Sequence, residues 1–156
     1  MKEAQKGFSL VELLLVIIII AVLAAVAIPN LLSSRRTANE ASAISSLRTI
    51  HSAESAYQIA FGNGSDYAVL TSLAAAGLID GALGTADTST KSGYVFNVTI
   101  TTPNFYCGTA TAAVQASTGD RSFAVSQSGL LYAAPDGAIT CDPGAGVIGG
   151  GGVPIQ

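Results

Sequence analysis

GFSLVELLLVIIIIAVLAAVAIP, residues 7–29, is an apolar stretch that contains a single charged residue, Glu12. At about 1.5 Å per residue, a helix over Phe8–Ile28 is roughly 32 Å long, which matches the ~30 Å hydrocarbon core of a bilayer. We therefore predict that residues 8–29 form a transmembrane helix. A carboxylate inside a bilayer costs on the order of 3 kcal/mol on insertion scales, so Glu12 is expected to have both a partner and a function.

The composition restricts what else the chain can contain. With 156 residues, 49% hydrophobic and 11% charged, there is room for one membrane segment and one small domain. The formal net charge of -3 and the scattered positions of the seven Lys and Arg residues argue against a nucleic-acid partner. Two cysteines and one histidine are too few for a typical zinc or iron–sulfur site, so we expect neither a metal nor another cofactor.

The short hydrophilic segment MKEAQKG, residues 1–7, precedes the apolar stretch. A conventional secretory signal has a shorter apolar region, and its small-residue cleavage site follows that region. Here a glycine, Gly7, stands directly before the apolar run. This arrangement predicts processing between Gly7 and Phe8.

The junction resembles the N-terminus of the type IV prepilin family, in which a glycine is followed by an aromatic residue or methionine and by a glutamate at the fifth processed position. Gly7, Phe8 and Glu12 match that pattern. The resemblance extends through Pro29 to about Phe61, and beyond that only the general layout is similar. It implies that a prepilin peptidase cuts after Gly7 and methylates the new amino terminus on Phe8. An ordinary signal anchor that stays uncut is the alternative.

The family layout divides the chain into four parts. They are a leader (1–7), a transmembrane and filament-core helix (8–29), an amphipathic continuation of that helix (30–61) and a globular head (62–156). Basic residues lie on both sides of the span, at Lys2 and Lys6 before it and at Arg35 and Arg36 after it, so the positive-inside rule does not choose an orientation. The resemblance implies that the head lies outside the cytoplasm. It also implies that the protein is first a single-pass inner-membrane protein and then part of an extracellular pilus.

Cys107 and Cys141 are consistent with that orientation. Two cysteines late in a small exported domain favour a disulfide formed in an oxidising compartment. Two unpaired buried thiols are the alternative.

Pro29 removes one backbone donor and crowds the carbonyl of Ala25, which predicts a kink or a loosened turn but not the end of the helix. Farther along, apolar residues recur in steps of four and three, with one skip over Glu54, and this is the stripe of an amphipathic helix. The stripe consists of Ala43, Leu47, Ile50, Tyr57 and Phe61. Its expected role is to pack on a sheet of the same domain. FGNGSDY, residues 61–67, supplies the residues that end the helix.

The remaining chain predicts an antiparallel sheet of three or four strands. YVFNVTIT, residues 94–101, alternates apolar and polar positions. TATAAVQAS and SFAVSQ flank the turn signal at 118–121 and predict a hairpin, and LLYAA adds a possible fourth strand. Between helix and sheet, LTSLAAAGLI predicts a short helix and GALGTADTST a loop, while the glycine-rich tail after Cys141 is expected to be mobile. The expected fold class is α+β, with one long helix laid on an antiparallel sheet.

No catalytic constellation is predicted. His51 is expected to be an exposed surface histidine, because its neighbours in sequence do not face it on a helix. Asp136 and Asp142 match no calcium-loop spacing and are expected to be solvated carboxylates. The glycosylation sequons at Asn63 and Asn97 are best explained by chance, because the motif is short.

Three function classes remain. The first is a pilus subunit and the second is a pseudopilin of a type II secretion machine; the third is a membrane-anchored binding or catalytic module that uses the span only as a tether. The processing signature and the lack of a reactive cluster argue against the third. The two late cysteines, with no calcium-loop pattern, favour the pilin. Neither the pilus function, whether twitching, adhesion or DNA uptake, nor a major or minor role follows from the sequence.

The pilin resemblance implies a mechanism without chemistry of its own. The protein waits in the inner membrane and is moved by an assembly platform and its ATPase into a helical homopolymer. A repeated heterologous contact that does not close gives an open filament, and the apolar helix face that lipid first covers becomes the subunit interface.

Overall fold

A computed structural model describes residues 7–102, 105–135, 139–142 and 147–155. The chain divides into two units, Met1–Ser34 and Arg35–Gln156, and the first helix contributes to both. In chain order the elements are α1 (Leu10–Ala60), α2 (Leu70–Ala75), α3 (Gly81–Gly84), β1 (Tyr94–Thr102), β2 (Phe105–Ala112), β3 (Arg121–Ser126), β4 (Leu131–Pro135), β5 (Thr140–Asp142), β6 (Val147–Gly149) and β7 (Val153–Ile155).

The predicted α+β fold is confirmed, with one more strand in the main sheet than expected. That sheet has five strands in the order β1-β2-β3-β4-β7, each antiparallel to its neighbour. The additional strand, β7, comes from the glycine-rich tail that the sequence suggested was mobile. Gly150 and Gly151, both with positive φ, turn the chain between β6 and β7. Residues 153–155 of the tail are held because β7 pairs with the edge of β4, which would otherwise present unpaired backbone groups.

The strands align so that large and small side chains alternate across the inner face of the sheet. One row runs through Phe96, Ala110, Phe123, Ala133 and Val153, which are register partners from β1 to β7. The first four of these residues are buried. The β1 alternation read from the sequence therefore holds, and the hairpin predicted around 118–121 is the β2–β3 pair.

The second half of α1 packs on this inner face. Ala43, Leu47 and Ile50 are fully buried and belong to the same core as Phe96 and Phe123. The stripe weakens towards its end, where Tyr57 is half-buried and Phe61 is exposed just beyond the last helical residue.

The helix packs over Gly108 of β2. A β-carbon at Gly108 would lie 3.6 Å from Cδ2 of Leu47 and 3.8 Å from Cγ2 of Ile50. Both distances are ordinary van der Waals contacts, and the nearest atom would be Cγ1 of Val125 on β3 at 3.2 Å, so Gly108 is closely packed between the helix and the neighbouring strand.

Residues 61–93, which we call the connector, join α1 to β1 and complete the core. α2 forms where the sequence predicted a short helix, and Leu70 and Leu73 bury its apolar side. α3 lies within a segment predicted to be loop. It is a single turn that forms because Asp80 caps it, accepting a hydrogen bond from the N–H of Leu83 at 2.8 Å.

The outer face of the sheet is covered by the β5–β6 hairpin. Cys107 on β2 forms a disulfide with Cys141 on β5, and Ala124, Ala134 and Ile139 are buried with Cys107 in a second, smaller cluster. β6 lies against β3. The disulfide that the sequence favoured over free thiols is present, and it attaches the hairpin to β2, the second strand of the sheet.

We expect the double variant Cys107→Ser with Cys141→Ser to lower the stability of the head. The bond spans 34 residues, and the chain-entropy relation for a loop of that length gives about 4 kcal/mol. For a head of this size, such a loss lowers Tm by about 10 °C or more. Thermal unfolding followed by circular dichroism, with and without reductant, measures the effect. Equal melting of the unaltered protein in both conditions would contradict it.

Candidate assembly site

The predicted processing junction lies just outside the long helix. Gly7, Phe8 and Ser9 have no regular secondary structure, and α1 begins at Leu10. Space around Gly7 is open, since a β-carbon there would meet nothing within 4 Å. The Gly7–Phe8 peptide bond is thus free of helical hydrogen bonds, a geometry that suits proteolysis. Lys2 and Lys6 of the predicted leader lie outside the described residues.

The first part of α1 exposes a continuous apolar surface within its own unit. The large apolar side chains from Phe8 to Leu32 are between 46% and 79% exposed. α1 is also the one helix among the described residues that is long and apolar enough to cross a membrane, with a mean hydropathy of 3.2 in its most apolar window. Such a surface needs lipid or other protein to cover it.

Glu12 lies in the first turn of α1 and is exposed among these apolar side chains. A negative charge is favoured there by the positive end of the helix dipole. Within the described residues Glu12 has no ion-pair partner. After cleavage, the new amino group of Phe8 would stand four residues before Glu12, close enough for a bond within one chain.

Pro29 lies inside α1, and the helix is continuous on both sides of it. The prediction that the helix passes Pro29 without ending agrees with this arrangement. One turn later, the hydroxyl of Ser34 donates to the carbonyl of Asn30 at 2.9 Å, a bond that competes with the local helical pattern. The local kink or loosening stays a prediction.

Near its start in the head, α1 is held to the sheet by a carboxylate, a contact that sequence reasoning missed. Glu40 is 7% exposed, and its side chain accepts hydrogen bonds from the backbone N–H groups of Asp120 and Arg121 at 3.0 and 3.2 Å. The Arg121 guanidinium adds a two-pronged pair, with its Nη2 2.7 Å from Oε2 of Glu40. Arg36 reinforces the same turn through Asp120 at 3.1 Å. No periodic signal marks Glu40, because its partner lies in a distant turn.

Farther along α1, His51 is not the exposed surface histidine that the sequence suggested. It is half-buried, and its Nδ1 lies 2.6 Å from the hydroxyl of Tyr106 on β2. Its ring also lies beneath Gly129, where a β-carbon would come within 2.9 Å of Nε2. The residue is enclosed because the helix face that carries it also faces the sheet.

Glu54, one turn after Ile50, occupies a core-facing position and is fully buried. Its Oε2 accepts a hydrogen bond from the N–H of Ala68 at 3.0 Å, while Oε1 has no hydrogen-bond partner among the described residues. Burial raises the pKa of Glu54 to about 7, and the Ala68 hydrogen bond opposes part of that rise. The signal was present in the sequence, as the one polar interruption of the apolar stripe.

These groups do not form a catalytic arrangement. Tyr106 is buried, its pKa is raised by desolvation and then by the charge of Glu54, and its hydroxyl is bonded to His51. Tyr67 covers the Tyr106 ring, with centroids 4.7 Å apart. The cluster ties α1, the connector and β2 together.

The remaining candidate sites from the sequence are a metal site, two aspartates and two glycosylation sequons. Across the described ranges, no group of three or more metal-ligating side chains lies close enough to hold an ion. Asp136 and the side chain of Asp142 lie outside the described residues. Asn63 and Asn97 are exposed, in a turn and on β1 respectively, and the expectation that their sequons arise by chance stays untested.

Comparison with known proteins identifies the N-terminal segment. Residues 3–28 match the model of the prokaryotic N-terminal methylation motif. The type IV wide pilus major component PilA4 of Thermus thermophilus is 38% identical over 102 residues, which cover 65% of this chain and 70% of that protein.

Shorter matches relate the chain to secretion proteins. The type II secretion system core protein G of Escherichia coli is 35% identical over 57 residues, and that of Dickeya chrysanthemi is 34% identical over 59. These matches cover 36% and 38% of this chain, and the chain spans 39% of each of those proteins. No solved structure matched the chain.

The buried carboxyl of Glu54 predicts a pH-dependent stability. Its pKa of about 7 in the folded protein lies above the ordinary value of 4.5, so the folded state holds the proton more tightly. Stability should therefore fall as pH rises from 4.5 to 7, by about 3 kcal/mol, and stay level above that range.

In Glu54→Gln this fall should disappear, because the amide does not ionise, and the variant should gain stability relative to the unaltered protein at pH 8. Thermal melts of detergent-solubilised protein from pH 4 to 9 measure it. Asp66→Asn, at an exposed carboxylate, is the control and should keep the slope. An identical slope in Glu54→Gln and the unaltered protein would contradict the assignment.

Proposed function

The chain belongs to the type IV pilin family. We propose that it is the repeating subunit of a pilus and that it acts as a major pilin. In this proposal it supplies no chemistry, which agrees with the structural role of pilins and pseudopilins as families. The N-terminal helix anchors the subunit in the inner membrane before assembly and becomes the core of the filament afterwards.

The length of the match to the Thermus pilus component carries this proposal. A match of 102 residues is longer than the whole of α1, so it reaches into the head. The matches to the secretion proteins, at 57 and 59 residues, are of the length of the N-terminal segment and α1 alone. Heads distinguish members of a family that share one N-terminal helix, so the similarity in the head favours the pilus subunit. The secretion pseudopilin is the second candidate.

The exposed apolar surface of α1 supports a two-stage mechanism. In the membrane, lipid covers the side chains from Phe8 to Leu32. In the filament, the same side chains of neighbouring copies cover one another, so the apolar surface stays out of water at both stages. An assembly platform and its ATPase transfer the subunit between these environments, and a prepilin peptidase prepares it.

In this mechanism Glu12 directs each copy to its place. The carboxylate of one subunit attracts the processed amino terminus, on Phe8, of its neighbour as that neighbour enters the filament. Pairing neutralises two charges that an apolar surrounding would otherwise penalise strongly. Because the attraction is optimal at one axial position, it sets the register of the polymer.

We expect the assembled protein to begin at N-methylated Phe8. N-terminal mass spectrometry of sheared filaments measures this directly. Replacing Gly7 with leucine should leave uncut precursor in the membrane, because we expect the prepilin peptidase to require a glycine before the bond that it cuts. Intact Met1 in the unaltered filament would refute the processing step.

We expect Glu12→Leu to be inserted and cleaved normally but to be lost from filaments. Removing one partner of a buried charge pair should lower incorporation by about tenfold or more. The measurement is the fraction of the variant in sheared fibres when it is the sole copy. Glu12→Gln should fail as well, because it keeps the shape without the charge, while the neighbouring Val11→Leu should assemble. Normal fibres from Glu12→Leu would refute the role.

The two candidate functions are separated by electron microscopy of cells with and without the gene. Deletion of a pilus subunit removes long surface fibres and leaves the secretion of folded enzymes intact. Deletion of a secretion pseudopilin gives the opposite pair of results.

A further inference from the structure

The ionisable groups of the head divide into a matched and an unmatched set. Among the described residues of this unit there are three ion pairs, with N···O distances of 2.7 to 3.1 Å: Arg36 with Asp120, Lys91 with Asp80, and Arg121 with Glu40. Two of these pairs join α1 to the β2–β3 turn and the start of β3, and the Lys91–Asp80 pair lies within the connector. These charges are therefore used within the subunit.

Four exposed charges of the head have no ion-pair partner among the described residues. Two of them are cations on α1, Arg35 and Arg48, and two are carboxylates on the connector, Asp66 and Asp87. Two unmatched positive charges on one element thus accompany two unmatched negative charges on another. Within the described head, the unpaired positive charges therefore lie on α1 and the unpaired negative charges lie on the connector.

The exposed surface around Arg48 is formed by small side chains. The exposed α1 face, which we define as residues 38, 41, 45, 48, 49, 52, 55 and 56, points away from the sheet and carries alanine, serine and threonine apart from Arg48. Small side chains allow another surface to come close, and the long Arg48 side chain then reaches across. No element of the described head covers this face.

We propose that in the filament the exposed α1 face of one copy docks against the connector of another copy, with Arg48 pairing with one of the carboxylates Asp66 and Asp87. The inference rests on the proposed function and adds the head surfaces that meet. Because the two surfaces differ, the contact is heterologous, and repeating it produces an open polymer and not a closed dimer.

The physical effect comes from repetition and from excluded water. An exposed ion pair in one molecule contributes little. Between packed copies the same pair is partly shielded from water and recurs at every subunit. Like charges brought together at such a contact strongly disfavour it, which also fixes which surface faces which.

Charge reversal tests the pairing. Arg48→Glu places a carboxylate opposite carboxylates, and its incorporation into sheared fibres should fall about tenfold. Combining it with Asp87→Arg or with Asp66→Arg should restore incorporation for the carboxylate that is the true partner. Asn97→Asp, an added negative charge on β1, is the control and should assemble normally.

Normal fibres from Arg48→Glu would overturn the inference, and so would a defect that neither double variant restores. In both cases fibres of the unaltered chain would still support the pilus function. The unaltered chain missing from all surface fibres would instead overturn the proposed function.

Crosslinking in intact cells tests the contact even without surface fibres. Ser52→Cys lies one turn from Arg48, and Ser89→Cys lies two residues after Asp87; both positions are exposed. A short bismaleimide should join copies of the doubly substituted chain into a ladder of multimers. Each single variant carries only one of the two cysteines and should give no ladder. Adding Arg48→Glu should abolish the ladder. If charge reversal identifies Asp87 as the partner, no ladder from this double variant would overturn the inference. If it identifies Asp66, the second cysteine is placed at Ser65, and no ladder from Ser52→Cys with Ser65→Cys would overturn the inference.

Discussion

The packing of residues 40–54 of α1 against the sheet is the contact on which the rest of the head depends. Leu47 and Ile50 cover the inner face and pack over Gly108 of β2. Without this layer, the aromatic side chains of Phe96 and Phe123 would be exposed. The strands alone cannot bury both faces, since the β5–β6 hairpin covers only the outer one.

Two buried carboxylates fasten this helix, and they differ in how completely they are satisfied. Glu40 accepts hydrogen bonds from two backbone N–H groups and from a guanidinium, so its charge is compensated. Glu54 accepts from a single N–H, and burial raises its pKa to about 7. The start of the packed segment is therefore held by charge, whereas its end is held best when Glu54 is protonated.

The ion pairs of the described head also decide which of its charges stay available to another copy. Most charges of the described head are consumed in holding its own turns, and the few left over lie on two different surfaces. The apolar surface of the N-terminal segment is likewise left without partners in its own unit. In the contact that we propose between heads, every copy presents both a positive and a negative surface, so each copy can bind the next one.

The sequence by itself determined the features that depend on neighbours along the chain. The apolar run from Phe8 to Ile28, its isolated Glu12, the helical stripe through Leu47 and the alternation in β1 each follow from a local period, and a local period is legible without a structure. The sequence also marked Glu54, as the one polar residue on the apolar stripe.

Only the tertiary structure decided which distant groups meet. The fifth strand arises because the tail finds the open edge of β4, and nothing in a glycine-rich segment indicates that edge. The enclosure of His51 and the Glu40–Arg121 pair likewise depend on strand residues that lie 55 and 81 positions away along the chain. Hydrogen bonds and charges act over a few ångströms of space regardless of separation along the chain, so the partners of polar groups are fixed by the fold and not by the local pattern.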